Sequence, residues 1–241
     1  MLTRAAFTEG RGSLDTGTPD GPVTESGISD TWTVIALTFA IFAVSFGAGW
    51  WVADTVGTFM VWVGAIVGLG LVLFAAFRPT MSPVLTPAYA VAEGIFVGGL
   101  SFLYESAYDG IVLQAGLLTA CVFAGMWFMY ASGRLRLTPK LQKFIIVATL
   151  GILATYLISF ITSLFGGGVP FIHDSGPIGI VFSLVVVGIA SLNLLIDFDY
   201  IDRLNARPHE RWQDWYAALG LLVTVVWIYI ELLRLLSKLR D

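Results

Sequence analysis

From residue 31 onward the chain alternates apolar stretches with short polar breaks, and each stretch is close to the roughly 20 residues that a bilayer-spanning helix needs. The stretches are 31–52, 56–77, 88–104, 111–130, 144–165, 178–196 and 216–236. Helix-stop chemistry marks the breaks: Asp54 before the second stretch, Arg78-Pro79 after it, Thr138-Pro139 before the fifth and Gly166 to Pro170 after it. The runs are far longer than the ten-residue alternating segments of an outer-membrane barrel. The pattern therefore predicts an all-α polytopic membrane protein, a bundle of seven transmembrane helices. Gly64-x-x-x-Gly68 and Gly94-x-x-x-Gly98 have the small-residue spacing that lets helices approach closely. Residues 1–30, rich in Gly, Ser, Thr, Asp and Pro, form a polar tail expected to be disordered. That tail lacks the basic, apolar, small-residue order of a signal peptide, so the organisation is a tail (1–30) and one membrane domain (31–241).

Composition agrees with the pattern: 57% of residues are apolar and only 12% charged, where soluble domains carry roughly 25% charged residues. The net charge of −4 is spread along the chain and supports no nucleic-acid face. Its single Cys121 allows no internal disulfide and no thiolate metal site, and is expected to fill core space.

Basic residues set an expected orientation. Arg4, Arg11, Arg78, Arg134, Arg136, Lys140, Lys143, Arg203, Arg207 and Arg211 fall in the tail and in every second loop, while the opposite loops hold none. By the positive-inside rule the N-terminus is cytoplasmic, which suits a multi-pass protein of the cell (inner) membrane. Seven crossings leave Arg234, Lys238 and Arg240 outside; either the others outvote them or the last stretch does not cross completely.

An acid at membrane depth is expensive, so each one is a candidate for function. Glu93 stands inside the third stretch among Ala90, Val91, Ala92 and Gly94, either functional or a hydrogen-bonded acid that orders packing. Asp197, Asp199 and Asp202 end the sixth. On a helix Asp199 shares a face with Asp202 and Arg203, whereas Asp197 turns toward the side of Asn193 and the bundle interior. Asp199 is thus a path residue or a rim acid paired by Arg203 or Arg207. Glu231 has Arg234 one turn on, enough for a local ion pair, and Thr224 lies two turns earlier on the same face. Arg78 either snorkels to the interface or neutralises an acid. Glu105 and Asp109 are loop acids, exposed or forming a cation-collecting mouth. His173 and Asp174 sit in another loop, and His209 lies among charged loop residues without a ligand partner at metal spacing, so no metal site is assigned.

Several chemistries are disfavoured. Covalent retinal needs a lysine inside the bundle, and Lys140, Lys143 and Lys238 lie in a loop or at a helix end. Two distant histidines supply neither a zinc-peptidase ligand set nor an obvious base for a serine nucleophile. A carboxyl pair of Asp197 and Glu231 leaves an intramembrane aspartyl protease open in principle. No phosphate-cradling Gly-Lys-Ser/Thr loop is present, and the reading is a non-enzyme without a cofactor.

Four segments together carry a resemblance: Pro87-Ala-Tyr89-Ala-Val-Ala-Glu93-Gly94, Phe171-Ile-His173-Asp-Ser-Gly176-Pro177-Ile-Gly179, Leu192-Asn193-Leu-Leu-Ile-Asp197-Phe198-Asp199 and Glu231-Leu-Leu-Arg234. In order and spacing, over about residues 31–238, the chain resembles the Bax inhibitor-1 family, particularly its bacterial YccA-like members. The resemblance implies a bundle whose last helix is central, enclosed by two groups of three. It also implies, as in some members, a pH-sensitive calcium leak controlled by one aspartate in the sixth helix and one in the seventh, near a basic residue from the second. Asp197 matches the sixth-helix aspartate and Arg78 corresponds to the basic partner; Thr224 stands where the seventh-helix aspartate is expected. Glu231 substitutes for it only if Asp197 reaches that far.

Two carboxyl groups held close share a proton, and carboxylate oxygens suit a hard cation such as calcium, and also sodium or a proton. The leading expectation is a passive calcium or other cation leak, with Asp197, Glu231 and Arg78 as gate and Glu93, Asp199 and Thr224 as path residues. The competing one, also implied by the resemblance, is a non-conducting regulator that binds a membrane protease or another stress-response partner.

Overall fold

The structure is a computed structural model that describes residues 28–57, 59–165 and 176–240. Among these residues every regular element is helical: α1 (Ile28–Thr55), α2 (Phe59–Phe77), one 3-10 turn (Pro79–Met81), α3 (Ser82–Ala107), α4 (Ile111–Ala131), α5 (Pro139–Leu164), α6 (Pro177–Asn205) and α7 (Arg211–Arg240). Six of these helices are long and apolar enough to cross a membrane, and α2 supplies a shorter apolar stretch, Val61–Phe77. The polytopic helical class expected from the pattern is present.

Several helices run past the apolar windows, because polar residues at a helix end cost nothing once they reach the interface or find partners. The sixth expected span stops at residue 196, whereas α6 continues to Asn205. Asp197 is therefore more than two turns inside its helix rather than at its end. Starts are set by local chemistry: the Thr138 side chain accepts from Leu141 N at 3.2 Å, with Pro139 in the first turn of α5. Glu105 accepts from Gly110 N at 2.7 Å and Val112 N at 3.0 Å, and so caps α4. Both of its oxygens are thus engaged at the helix start.

α7 is the centre of the bundle, packed by α1, α3, α4 and α6, as the resemblance implies. Its Leu221, Leu222, Ile228 and Leu233 are fully buried. Phe198 of α6 packs edge-on against Phe123 and Trp127 of α4 at 5.5 and 5.2 Å between centroids, which locks α4 to α6. The glycine spacings are used. A Cβ on Gly64 would stand 2.9 Å from the Ala92 carbonyl, and Gly98 and Gly49 bring the α1 and α3 backbones too close for any side chain between them. By contrast, α5 packs chiefly on α6, through Ile152, Val186 and Ile189, and turns Val147, Leu150, Leu157 and Ile161 outward.

Two expectations are overturned. Cys121, expected in the core, is exposed on α4; in a bundle solvated by lipid a small apolar side chain is equally at home facing outward. Lys238 does stand at the final helix end but, contrary to the expectation that no lysine lies inside the bundle, it is buried, and its Nζ donates to the Gly179 carbonyl at 3.1 Å and Ser183 Oγ at 3.0 Å. Arg240 donates to the Asp109 carbonyl and Gln114 Oε1, both at 2.9 Å. The C-terminal end of α7 thus lies beside the α3–α4 loop, opposite the basic loops, so α7 runs the full length of the bundle. Lys238 is held there by neutral acceptors of α6, and Arg240 by neutral acceptors of the α3–α4 loop and α4.

Candidate functional site

Two cavities lie one after the other along α7. The first, about 370 Å³, is walled by Val72 and Ala76 of α2, by Ile196, Asp197 and Tyr200 of α6, and by Tyr216, Gly220, Val223 and Thr224 of α7. It reaches toward the end of the bundle that carries the basic loops and is called the inner cavity below. The second, about 360 Å³, is walled by Tyr89 and Glu93 of α3, Thr149, Ile152 and Tyr156 of α5, and Val223, Trp227, Glu231 and Arg234 of α7. It is the outer cavity.

Asp197 is the acid of the inner cavity. Thr224 lines the same cavity, and its hydroxyl donates to the Gly220 carbonyl at 3.1 Å. Gly220 makes room for the carboxyl group, since a Cβ there would stand 3.3 Å from Asp197 Oδ1. Asp197 Oδ2 is buried and has no hydrogen-bond partner among the described residues. A buried oxygen left in this state is costly, and a proton or a bound cation relieves it. Thr224, where the resemblance expects an aspartate, does stand beside Asp197; the pair here is carboxyl and hydroxyl.

Glu231 belongs to the outer cavity. Its Oε2 accepts from Arg234 Nη1 at 2.7 Å and from the Tyr156 hydroxyl at 2.7 Å, and Arg234 Nη1 in turn donates to that hydroxyl at 2.8 Å. Arg234 also lies over the Tyr156 ring, 5.0 Å from its centroid. The local ion pair expected between Glu231 and Arg234 is thus formed and extended to α5. Glu231 Oε1 remains buried without a partner among the described residues. Glu93 faces the same cavity from α3, and its carboxylate extends toward α2, where a Cβ on Gly68 would lie 2.6 Å from Glu93 Oε2.

Asp197 and Glu231 therefore line different cavities, so the site has no shared-proton pair and no aspartyl-protease-like dyad between them. Arg78 is exposed at the end of α2 and forms none of the ion pairs among the described residues, so it does not act as a partner for Asp197. Asp199 pairs with Arg203 at 2.7 Å, and Asp202 accepts from the Tyr130 hydroxyl at 3.2 Å. Both acids line a polar recess of about 530 Å³ with Trp127 and Arg136 at the basic end, away from the cavities along α7. No group of three or more potential metal ligands occurs among the described residues. His173 and Asp174 lie outside those residues.

Sequence reasoning missed one cluster. His209, which lies among charged loop residues in the sequence, is buried at the basic end with Asp214. His209 Nε2 lies 2.8 Å from Asp214 Oδ1 and Nδ1 lies 3.0 Å from the Arg207 carbonyl. The Thr31 hydroxyl is 2.6 Å from Asp214 Oδ1 and 2.8 Å from Asn205 Oδ1. With an acceptor at each ring nitrogen, the geometry fits an imidazolium that donates twice. Burial opposes that charge, but the Arg207 carbonyl and the Asp214 carboxylate outweigh it and lift His209 above its ordinary range. The cluster ties the starts of α1 and α7 to the end of α6. The only advance signal was the i,i+5 spacing of His209 and Asp214 across a helix start.

Among family models, one described as Bax inhibitor 1 like matches residues 8–241. No curated protein and no solved structure matches the chain.

Proposed function

The chain belongs to the Bax inhibitor 1 like family, and from that premise we propose that it is a pH-sensitive passive cation leak of the cell membrane, with calcium the favoured ion. The single observation that carries the reading is Asp197 Oδ2, a buried carboxyl oxygen without a hydrogen-bond partner among the described residues, beside a cavity of about 370 Å³ within a membrane bundle. Glu231 Oε1 repeats that situation in the outer cavity, with Glu93 on the facing wall. Carboxylate oxygens at successive depths are the donors a hard cation takes in place of water.

In this reading Asp197 is the gate. Its protonated form carries no charge to attract a cation; its ionised form does, so flux rises as pH carries it from one to the other. Thr224 positions the carboxyl group, and Glu231, held by Arg234 and Tyr156, offers its remaining oxygen to the ion. The reading assigns no catalytic reaction and no cofactor. Purified protein in liposomes is expected to release calcium faster than empty vesicles, with a rate that depends on pH, and Asp197→Asn is expected to abolish that dependence. Absence of calcium flux above empty vesicles at both acidic and neutral pH would refute it.

The polar recess of Trp127, Tyr130, Arg136, Asp199 and Asp202 favours a second reading, a non-conducting regulator that docks a membrane protease or another stress partner at the basic end. Partner binding that is equal in wild type and Asp197→Asn, with ion movement in neither, would select it.

A further inference from the structure

Resting on the leak reading and adding to it the place where passage is interrupted, we infer that Val223 is the apolar step between the inner and outer cavities. The inner cavity ends on α7 at Thr224 and Gly220, and the outer one begins at Val226 and Trp227; Val223 is common to both linings. The other walls change helices at this level, from α2 and α6 below to α3 and α5 above. Among the described residues no carboxylate lines both cavities. Asp197 lies on one side, while Glu93 and Glu231 lie on the other, and the seven residues from Thr224 to Glu231 correspond to about 10 Å of helix rise. Val223 is held in place, packing against the buried cluster of Ala75, Leu85, Tyr89 and Leu222.

A valine side chain offers no oxygen to a cation that must give up water, so a narrow passage lined by it holds ions back by dewetting. A hydroxyl or a smaller side chain at 223 joins the two cavities into one wetted space, and a bulky ring seals them from each other. Val223 therefore sets the rate of passage, while Asp197 sets its dependence on pH.

Calcium release from liposomes carrying the full chain tests this. Val223→Ser is expected to raise the rate about tenfold at a pH where the wild type is slow, and Val223→Phe to lower it to that of empty vesicles. Val225→Ser is the control: it is the same change on the same helix, at a residue that packs on the opposite cluster and lines neither cavity. Equal rates for Val223→Ser and Val225→Ser would overturn the inference. A second measurement does not depend on flux. In a Cys121→Ser background, Thr224→Cys is expected to react with a membrane-impermeant cationic thiol reagent from the basic-end side only, and Trp227→Cys from the other side only. Adding Val223→Ser is expected to make each reactive from both sides. Labelling that already crosses with Val223 in place would overturn the step. If wild type and Val223→Ser release no calcium, the leak reading fails by itself, and the labelling pattern still decides whether Val223 divides the cavities.

Discussion

Removing the His209 side chain is the most direct test of how the basic end is held together. His209 is 4% exposed and Asp214 is fully buried, so His209→Ala leaves the Asp214 carboxylate enclosed with its imidazolium partner gone. Breaking a buried ion pair by deleting one partner costs about 3–5 kcal/mol. In a chain of this size each kcal/mol corresponds to about 2–4 °C, so a loss of about 3 kcal/mol lowers Tm by about 6–12 °C. The pH dependence has a definite sign. The folded state lifts His209 above its ordinary value of 6.5, so the stabilisation is fully present below that value and is lost as pH rises through the higher folded one. Asp214 from α7 is the charged group that faces the ring; Thr31 of α1 and Asn205 of α6 contribute neutral oxygens. Thermal unfolding in detergent, followed by tryptophan fluorescence from pH 6 to pH 9, should show the wild-type Tm falling across this window. The Tm of His209→Ala should be lower at pH 6 and nearly flat. A variant within 2 °C of wild type at pH 6, or a wild-type Tm that does not fall, would refute the buried imidazolium.

Other consequences are simpler to check. Gly98→Ala forces a Cβ into the Phe46 backbone, whereas Gly188→Ala on α6 meets nothing within 4 Å. The first is expected to destabilise by about 3 kcal/mol or more, and the second to be neutral or slightly stabilising from helix propensity, both read as Tm in detergent. Tyr156→Phe removes the hydroxyl that joins α5 to Glu231 and Arg234 while leaving their own 2.7 Å pair intact. Interhelical hydrogen bonds in membranes contribute about 0.6–1.7 kcal/mol, so a correspondingly small drop in Tm is expected.

Much of this architecture was legible in the chain because lipid makes apolar length a direct measure of span, and the interior placement of Asp197 followed from the angle between it and Asp199. What periodicity did not reveal were the partners. Glu105 reads as a loop acid but caps the start of α4 with both oxygens, and Lys238 and Arg240 read as outside charges but bind acceptors of the α3–α4 loop, α4 and α6. His209 was misjudged for a related reason. Its neighbours in sequence, Arg207, Glu210 and Arg211, are exposed, while its ring is enclosed with Asp214, which in turn meets Thr31 from the start of the first helix. Cys121 shows the converse, since an apolar residue in such a bundle has two favourable environments and composition does not choose between them.

The two walls of the outer cavity are fastened differently. Tyr89 and Glu93 belong to α3, which meets α1 and α2 in close backbone approaches at Gly49, Gly64 and Gly98. Thr149 and Tyr156 belong to α5, which is fastened by one small apolar cluster, by the Asn193–Thr149 hydrogen bond of 2.9 Å and by the Tyr156 hydroxyl. The outer face of α5 carries Val147, Leu150, Leu157 and Ile161, so the helix that closes this side of the cavity is also one that lipid packs against, and bilayer and cavity share a single layer of protein there.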